Sequence, residues 1–164
     1  MRTDPKRNPW KGFAAGALGG LAASFAMGQF YSLFQKFESS ALPDQEDSTV
    51  QLASAMAQSI FHHRLTPEQK EIAGPAVHYG FGASVASLYG IAAEFAPPVR
   101  AGWGMAFGAA VWLGAHVIVV PALGFSPPIS ESTPGKEATE LGGHLVYGAV
   151  VEGLRRFLRR CVLR

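Results

Sequence analysis

Three histidines, His78, His116 and His144, each sit in a different apolar, Gly/Ala-rich stretch, and Glu140 stands four residues before the last of them. Glu140 and His144, at i and i+4, share one face of a helix. Three imidazoles and a carboxylate are a sound donor set for a divalent transition metal such as zinc. His and Glu also build proton relays, because imidazole titrates near neutrality. The same groups can instead hydrogen-bond neighbouring helices and hold their register, a contribution of about 0.6–2 kcal/mol. A bis-histidine haem is a variant of the metal reading, but no haem-attachment motif is present. The residues leave all three readings open.

The stretches that carry these side chains set the context. Of the 164 residues, 48% are hydrophobic and only 16% charged, against about 25% charged in an average soluble domain. Mean hydropathy is only +0.14, because the apolar runs are built from Ala and Gly. No Asp, Glu, Lys or Arg occurs over residues 12–35, 72–93 or 101–130. A membrane helix needs about 20 apolar residues, so each gap is long enough. The pattern predicts an all-α integral membrane four-helix bundle, a single domain over residues 1–164, with spans at 12–34, 74–95, 102–123 and 138–158.

The fourth span is interrupted by Glu140 and Glu152, and charge placement argues for it. Ten of the fourteen Lys and Arg lie in the N-terminus, the C-terminus or the short loop holding Arg100. The positive-inside rule puts both termini in the cytoplasm, which requires an even number of crossings. Seventeen of the nineteen glycines fall in the four segments. In a soluble helix each would cost about 1 kcal/mol against Ala, whereas in lipid they allow backbones to approach closely. The first run is too long for a signal-peptide core and is read as a retained span. The expected location is a bacterial inner (plasma) membrane.

Within this topology the three histidines fall in one layer. His78 lies about 6 Å deep from the outer surface, His116 about 10 Å and His144 about 9 Å, at 1.5 Å per residue. Tyr89, eleven residues after His78, lines the same face deeper in. At the inner end, Glu94 precedes Arg100 by six residues, and Glu152 stands three and four residues before Arg155 and Arg156. These groups are expected to form interfacial ion pairs. Gly12, Gly16, Gly20, Ser24 and Gly28 recur at every fourth position of the first span, a ridge of small residues suited to helix packing.

The external loop at residues 37–73 opens acidic, with Glu38, Asp44, Glu46 and Asp47. Val50, Ala53, Met56, Ala57, Ile60 and Phe61 then recur at helical spacing, which predicts a short amphipathic helix. It would lie on the membrane surface or cap the bundle. Adjacent His62 and His63 point about 100° apart and do not form a ligand pair. Thr66, Pro67 and Gln69 carry the chemistry of a helix start. Cys161, the single cysteine, has no metal-type spacing.

The stretch from His78 to Arg156 resembles the YagU-like family of small bacterial inner-membrane proteins. The matching pieces are His78, Tyr89-Gly90, Glu94-Phe95, Gly104 and Gly108, and the run from His116 to Pro121. They continue with Gly124-Phe125-Ser126-Pro127-Pro128, Glu140-Leu141-Gly142-Gly143-His144, Tyr147, and Glu152-Gly153-Leu154-Arg155-Arg156. The resemblance covers about half the chain and implies a multi-span helical membrane protein with no established activity.

No hydrolase-type Ser motif and no phosphate-cradling loop is present, so the expected role is non-enzymatic: a small membrane protein whose His/Glu cluster is structural or binds a metal or proton. The alternatives are an accessory subunit of a larger membrane complex, docked through the Gly-rich first span, and a small proton- or metal-linked transporter. The expected partners are the lipid bilayer and a second copy or larger complex, with no nucleic acid.

Overall fold

The computed structural model describes residues 7–35 and 47–163, and every described element is helical. Arg2, Lys6, Glu38, Asp44, Glu46 and Arg164, which figured in the charge and loop readings, lie outside the described residues. Helix α1 (Pro9–Gln35) is followed by α2 (Ser48–Phe61) and α3 (Pro67–Phe95). A 3₁₀ connection, Pro97–Gly104, leads into α4 (Met105–Val111), a wider-turned π segment (Trp112–Val119) and α5 (Val120–Ala122). The joints at Trp112 and Val120 keep right-handed helical dihedrals, so these last three form one rod. After the turn Ile129–Glu131, α6 runs Pro134–Cys161.

Local chemistry explains the boundaries. Asn8 caps α1 by accepting from the Lys11 amide (3.0 Å), with Pro9 at the first helical position. Thr66 and Gln69 close the expected capping box, with Pro67 after the cap. Asp47 caps α2, and His62 ends it in a left-handed conformation. Thr133, with Pro134 behind it, caps α6. The α6 helix therefore starts earlier than the expected fourth span and includes Glu137. The rod starts three residues later than expected, because Gly102, Trp103 and Gly104 all have positive φ. That run breaks the chain between the connection and α4.

Small residues set how the helices meet. Helix α1 packs on α3 and on α6, and α4 packs on α6. A Cβ on Gly12 would collide with the Gly90 carbonyl, one on Gly16 with that of Ala86, and one on Gly20 with that of Gly82. The stripe thus meets a second stripe, Gly82, Ala86 and Gly90, at the same four-residue spacing on α3. Ser24 sits against Gly82, whereas Gly28 has nothing within 4 Å and takes no part in packing. Gly104 and Gly108 close in the same way on Gly148 and His144 of α6. The ridge of α1 is consumed inside the chain up to Ser24, so that face is not free to receive another subunit.

Helix α2 packs on the start of α3, where Gly74 makes room for Val50. Gln51 donates to the Phe125 carbonyl (3.1 Å), tying α2 to the turn after the rod. The helix therefore rests on one end of the bundle.

Large and small side chains are inverted relative to a soluble domain. The core consists of residues such as Ala15, Ala23, Ala86, Ala93, Tyr89, Tyr147 and Val151. Phe13, Leu18, Leu21 and Phe25 on α1, Leu88 on α3, and Leu113 and Ile118 on the rod stand exposed. Two helical stretches, Pro9–Phe34 and Pro97–Ala122, are long and apolar enough to cross a membrane.

Candidate functional site

The start of α1, the end of α3 and the end of α6 meet at one end of the bundle, called here the terminal end. Glu94 accepts from the Asn8 amide (3.1 Å) and takes a bidentate pair from Arg159, 2.8 Å at each oxygen. Arg155 reaches Glu94 at 3.6 Å and binds Glu152 through Nε (2.7 Å) and a terminal nitrogen (3.0 Å). Glu152 also accepts from Arg156 and from the Tyr89 hydroxyl (2.8 Å). The Arg156 guanidinium lies over the Trp103 ring, 4.2 Å from its centroid. Two carboxylates thus face three guanidinia and a phenol.

Burial makes this network structural. Glu152 is fully buried, and Arg155, Arg159 and Tyr89 nearly so. The expected pairing of Glu152 with Arg155 and Arg156 is present, but in the core rather than at the interface. Glu94 takes Arg159 and Arg155 in place of Arg100, because the bidentate fork of Arg159 satisfies both of its oxygens. Arg159 was legible only as a C-terminal charge. Its spacing of seven from Glu152 and four from Arg155 puts all three on one face of α6, a signal the sequence did carry.

The opposite end, where the rod runs into the turn before α6, holds the second polar group. His116 lies in the π segment, and its ring stacks on Trp112. Such wide turns are often found at functional sites. Its Nε2 is 3.3 Å from Glu137 Oε2 and its Nδ1 is 3.9 Å from Glu140 Oε2. Glu140 accepts from the Tyr31 hydroxyl (2.8 Å). His144 donates from Nδ1 to the Glu140 carbonyl (2.8 Å), and its ring lies 6.3 Å from that of His116. Glu137 Oε2 is buried and accepts no hydrogen bond among the described residues. A cavity of about 130 Å³ opens beside it, lined by His116, Ser126, Glu131, Ser132, Lys136 and Glu137.

Of the four candidate ligands, His116, Glu140 and His144 are brought together. His78 stays apart on α3, its ring edge-on to Tyr79. Among the described residues no three His, Cys, Asp or Glu side chains converge as a metal-ligand set. The reason is directional. His116 points its two nitrogens at different carboxylates on opposite sides of the ring. Glu137 and Tyr31, absent from the sequence reading of the cluster, complete it. Glu137 was legible as the third member of a face with Glu140 and His144 once the helix start at Thr133 is recognised.

Between His144 and Glu152 on α6 stand Gly148, packed on Gly104, and fully buried Val151. Tyr147 in that interval gives its hydroxyl to the Gly82 carbonyl (2.6 Å).

Comparison with known proteins follows the same outline. Residues 42–153 match the model of a family described as a protein of unknown function, DUF1440. The chain is 33% identical over 82 residues to the inner membrane protein YagU of Escherichia coli (strain K12). That alignment covers 50% of this chain and 40% of the relative, so the chain spans well under half of the curated protein it matches. No solved structure matches. The chain belongs to the DUF1440 family, the YagU-like group whose motifs it carries from His78 to Arg156.

Proposed function

We propose that this chain is a four-span inner-membrane protein without enzymatic activity, both termini cytoplasmic, whose His116, Glu137 and Glu140 cluster exchanges protons at the periplasmic end. The inverted side-chain distribution supports the membrane placement, since large apolar groups stand exposed while charges are buried in pairs. Helix α1 and the rod are apolar enough to span. Helices α3 and α6, about 43 and 42 Å long at 1.5 Å per residue, pack along α1 on two sides and cross the bilayer with it. The basic ends then face the cytoplasm, and the His/Glu end faces the periplasm.

One observation carries the site assignment: the imidazole of His116 lies between two carboxylates, at the wall of a cavity, with one buried carboxylate oxygen lacking a donor. A doubly protonated ring donates from both nitrogens and so serves both neighbours. The proton arrives and leaves through the cavity, whose wall also carries Lys136 and Glu131.

The test is a pH titration of the His116 ring by NMR in detergent or nanodiscs, with His116→Gln to assign its signal. The ring is expected to titrate reversibly, with a midpoint that moves in both Glu137→Gln and Glu140→Gln. A midpoint indifferent to both substitutions would remove the cluster as a unit.

A further inference from the structure

We propose that a groove between α3 and the rod holds one acyl chain of an anionic phospholipid from the cytoplasmic leaflet, with its phosphate at Arg100. The proposal rests on the membrane placement above. Helix α3 packs on α1, and α4 packs on α6, so no close helix contact seals the seam between α3 and α4. A groove of about 480 Å³ remains there. Leu88 and Ala92 form one wall, and Ala106 and Ala110 the other. Its floor is the stacked pair Tyr89 and Phe107, ring centroids 4.3 Å apart. The Tyr89 hydroxyl is engaged by Glu152, so the floor offers the groove no free polar group.

The chain itself leaves this space unfilled. Ala at 106 and 110 puts the shortest side chains on the rod where the wall runs. The positive-φ run from Gly102 to Gly104 breaks the connection just before the rod starts. Leu88 on the rim is 66% exposed, so the groove is continuous with the lipid-facing surface.

Charge identifies the occupant. The groove ends at Pro98 and Val99 in the 3₁₀ connection. Arg100 follows, half-buried, and no carboxylate pairs with it among the described residues, since Glu94 is taken by Arg159 and Arg155. Arg100, next in the chain to Val99 of that lining and without a carboxylate partner among the described residues, matches a phosphate attached to a hydrocarbon chain in the groove. A helix from a second copy would bring hydrocarbon to the groove but leave Arg100 without an anion.

The full chain, purified from membranes in mild detergent, is examined by native mass spectrometry with added phosphatidylglycerol or phosphatidylcholine of matched chains. One phosphatidylglycerol should stay bound per chain, in at least fivefold preference to phosphatidylcholine. Arg100→Gln should lower its retention about fivefold. Ala106→Trp, which fills the groove, should lower it further, for both lipids. Arg100 has no carboxylate partner to lose among the described residues, so that variant remains informative if Ala106→Trp folds poorly. Equal retention of the two lipids, or retention unchanged in both variants, overturns the proposal. A dimer that Ala106→Trp dissolves also overturns it, assigning the groove to a second copy. If the protein stays integral to the membrane but holds no lipid, only this site fails; if it is recovered outside the membrane, the placement fails as well.

Discussion

The two ends of this bundle bury similar chemistry and use it differently. At the terminal end every carboxylate oxygen of Glu94 and Glu152 accepts at least one charged donor, and Glu152, Arg155 and Arg159 are buried. At the other end His116 is partly exposed, its contact to Glu137 is long, and one carboxylate oxygen has no donor. A satisfied, dry network holds helices in place. An incompletely satisfied one beside a cavity can exchange its proton. The difference follows from the donors: three arginines, two with planar forks engaging both oxygens of a carboxylate, against one imidazole with two nitrogens pointing apart.

The contrast can be broken most forcefully at the terminal end. Glu152→Ala leaves Arg155 buried without its main partner and should destabilise the protein by about 3–5 kcal/mol. Thermal unfolding in detergent should show a large loss, and an unchanged midpoint would mean the network is not structural. Gly108→Leu comes next. Its side chain must displace the His144 backbone, an overpacking that costs about 1–3 kcal/mol, read in the same assay. At the other end Tyr31→Phe removes the hydroxyl that donates to the Glu140 carboxylate and, more weakly, to its carbonyl, and should cost only about 0.6–2 kcal/mol. If Tyr31→Phe cost as much as Glu152→Ala, the distinction between the ends would collapse. His78→Ala, which removes no hydrogen bond or ion pair among the described residues, should change stability by no more than about 0.5 kcal/mol.

The same contrast explains what could be read in advance. Helix starts at Thr66 and the small-residue stripe from Gly12 to Ser24 depend on short-range spacing, and spacing is visible in a sequence. The pairing of Glu152 with Arg155 and Arg156 is likewise local. The pairing of Glu94 with Arg159 spans 65 residues and depends on which faces of α3 and α6 meet. Those faces are chosen by the Gly82, Ala86 and Gly90 stripe and the Gly148 contact, which become informative only as pairs. His116 and His144 meet in one cluster, but depth alone does not set azimuth, and His78 falls outside it. Glu137 lay before the expected start of the fourth span. Thr133 and Pro134, a helix start of the Thr66 and Pro67 kind, bring it into α6.

The orientation of the two ends is the claim on which the rest depends, and cysteine accessibility tests it directly. In spheroplasts, a membrane-impermeant maleimide should label Ser130→Cys in a Cys161→Ser background, because Ser130 is exposed in the turn before α6 at the periplasmic end. Exposed Cys161 of the unmodified chain should react only after the membrane is permeabilised. Labelling of Cys161 in intact spheroplasts, with Ser130→Cys protected, would contradict the account.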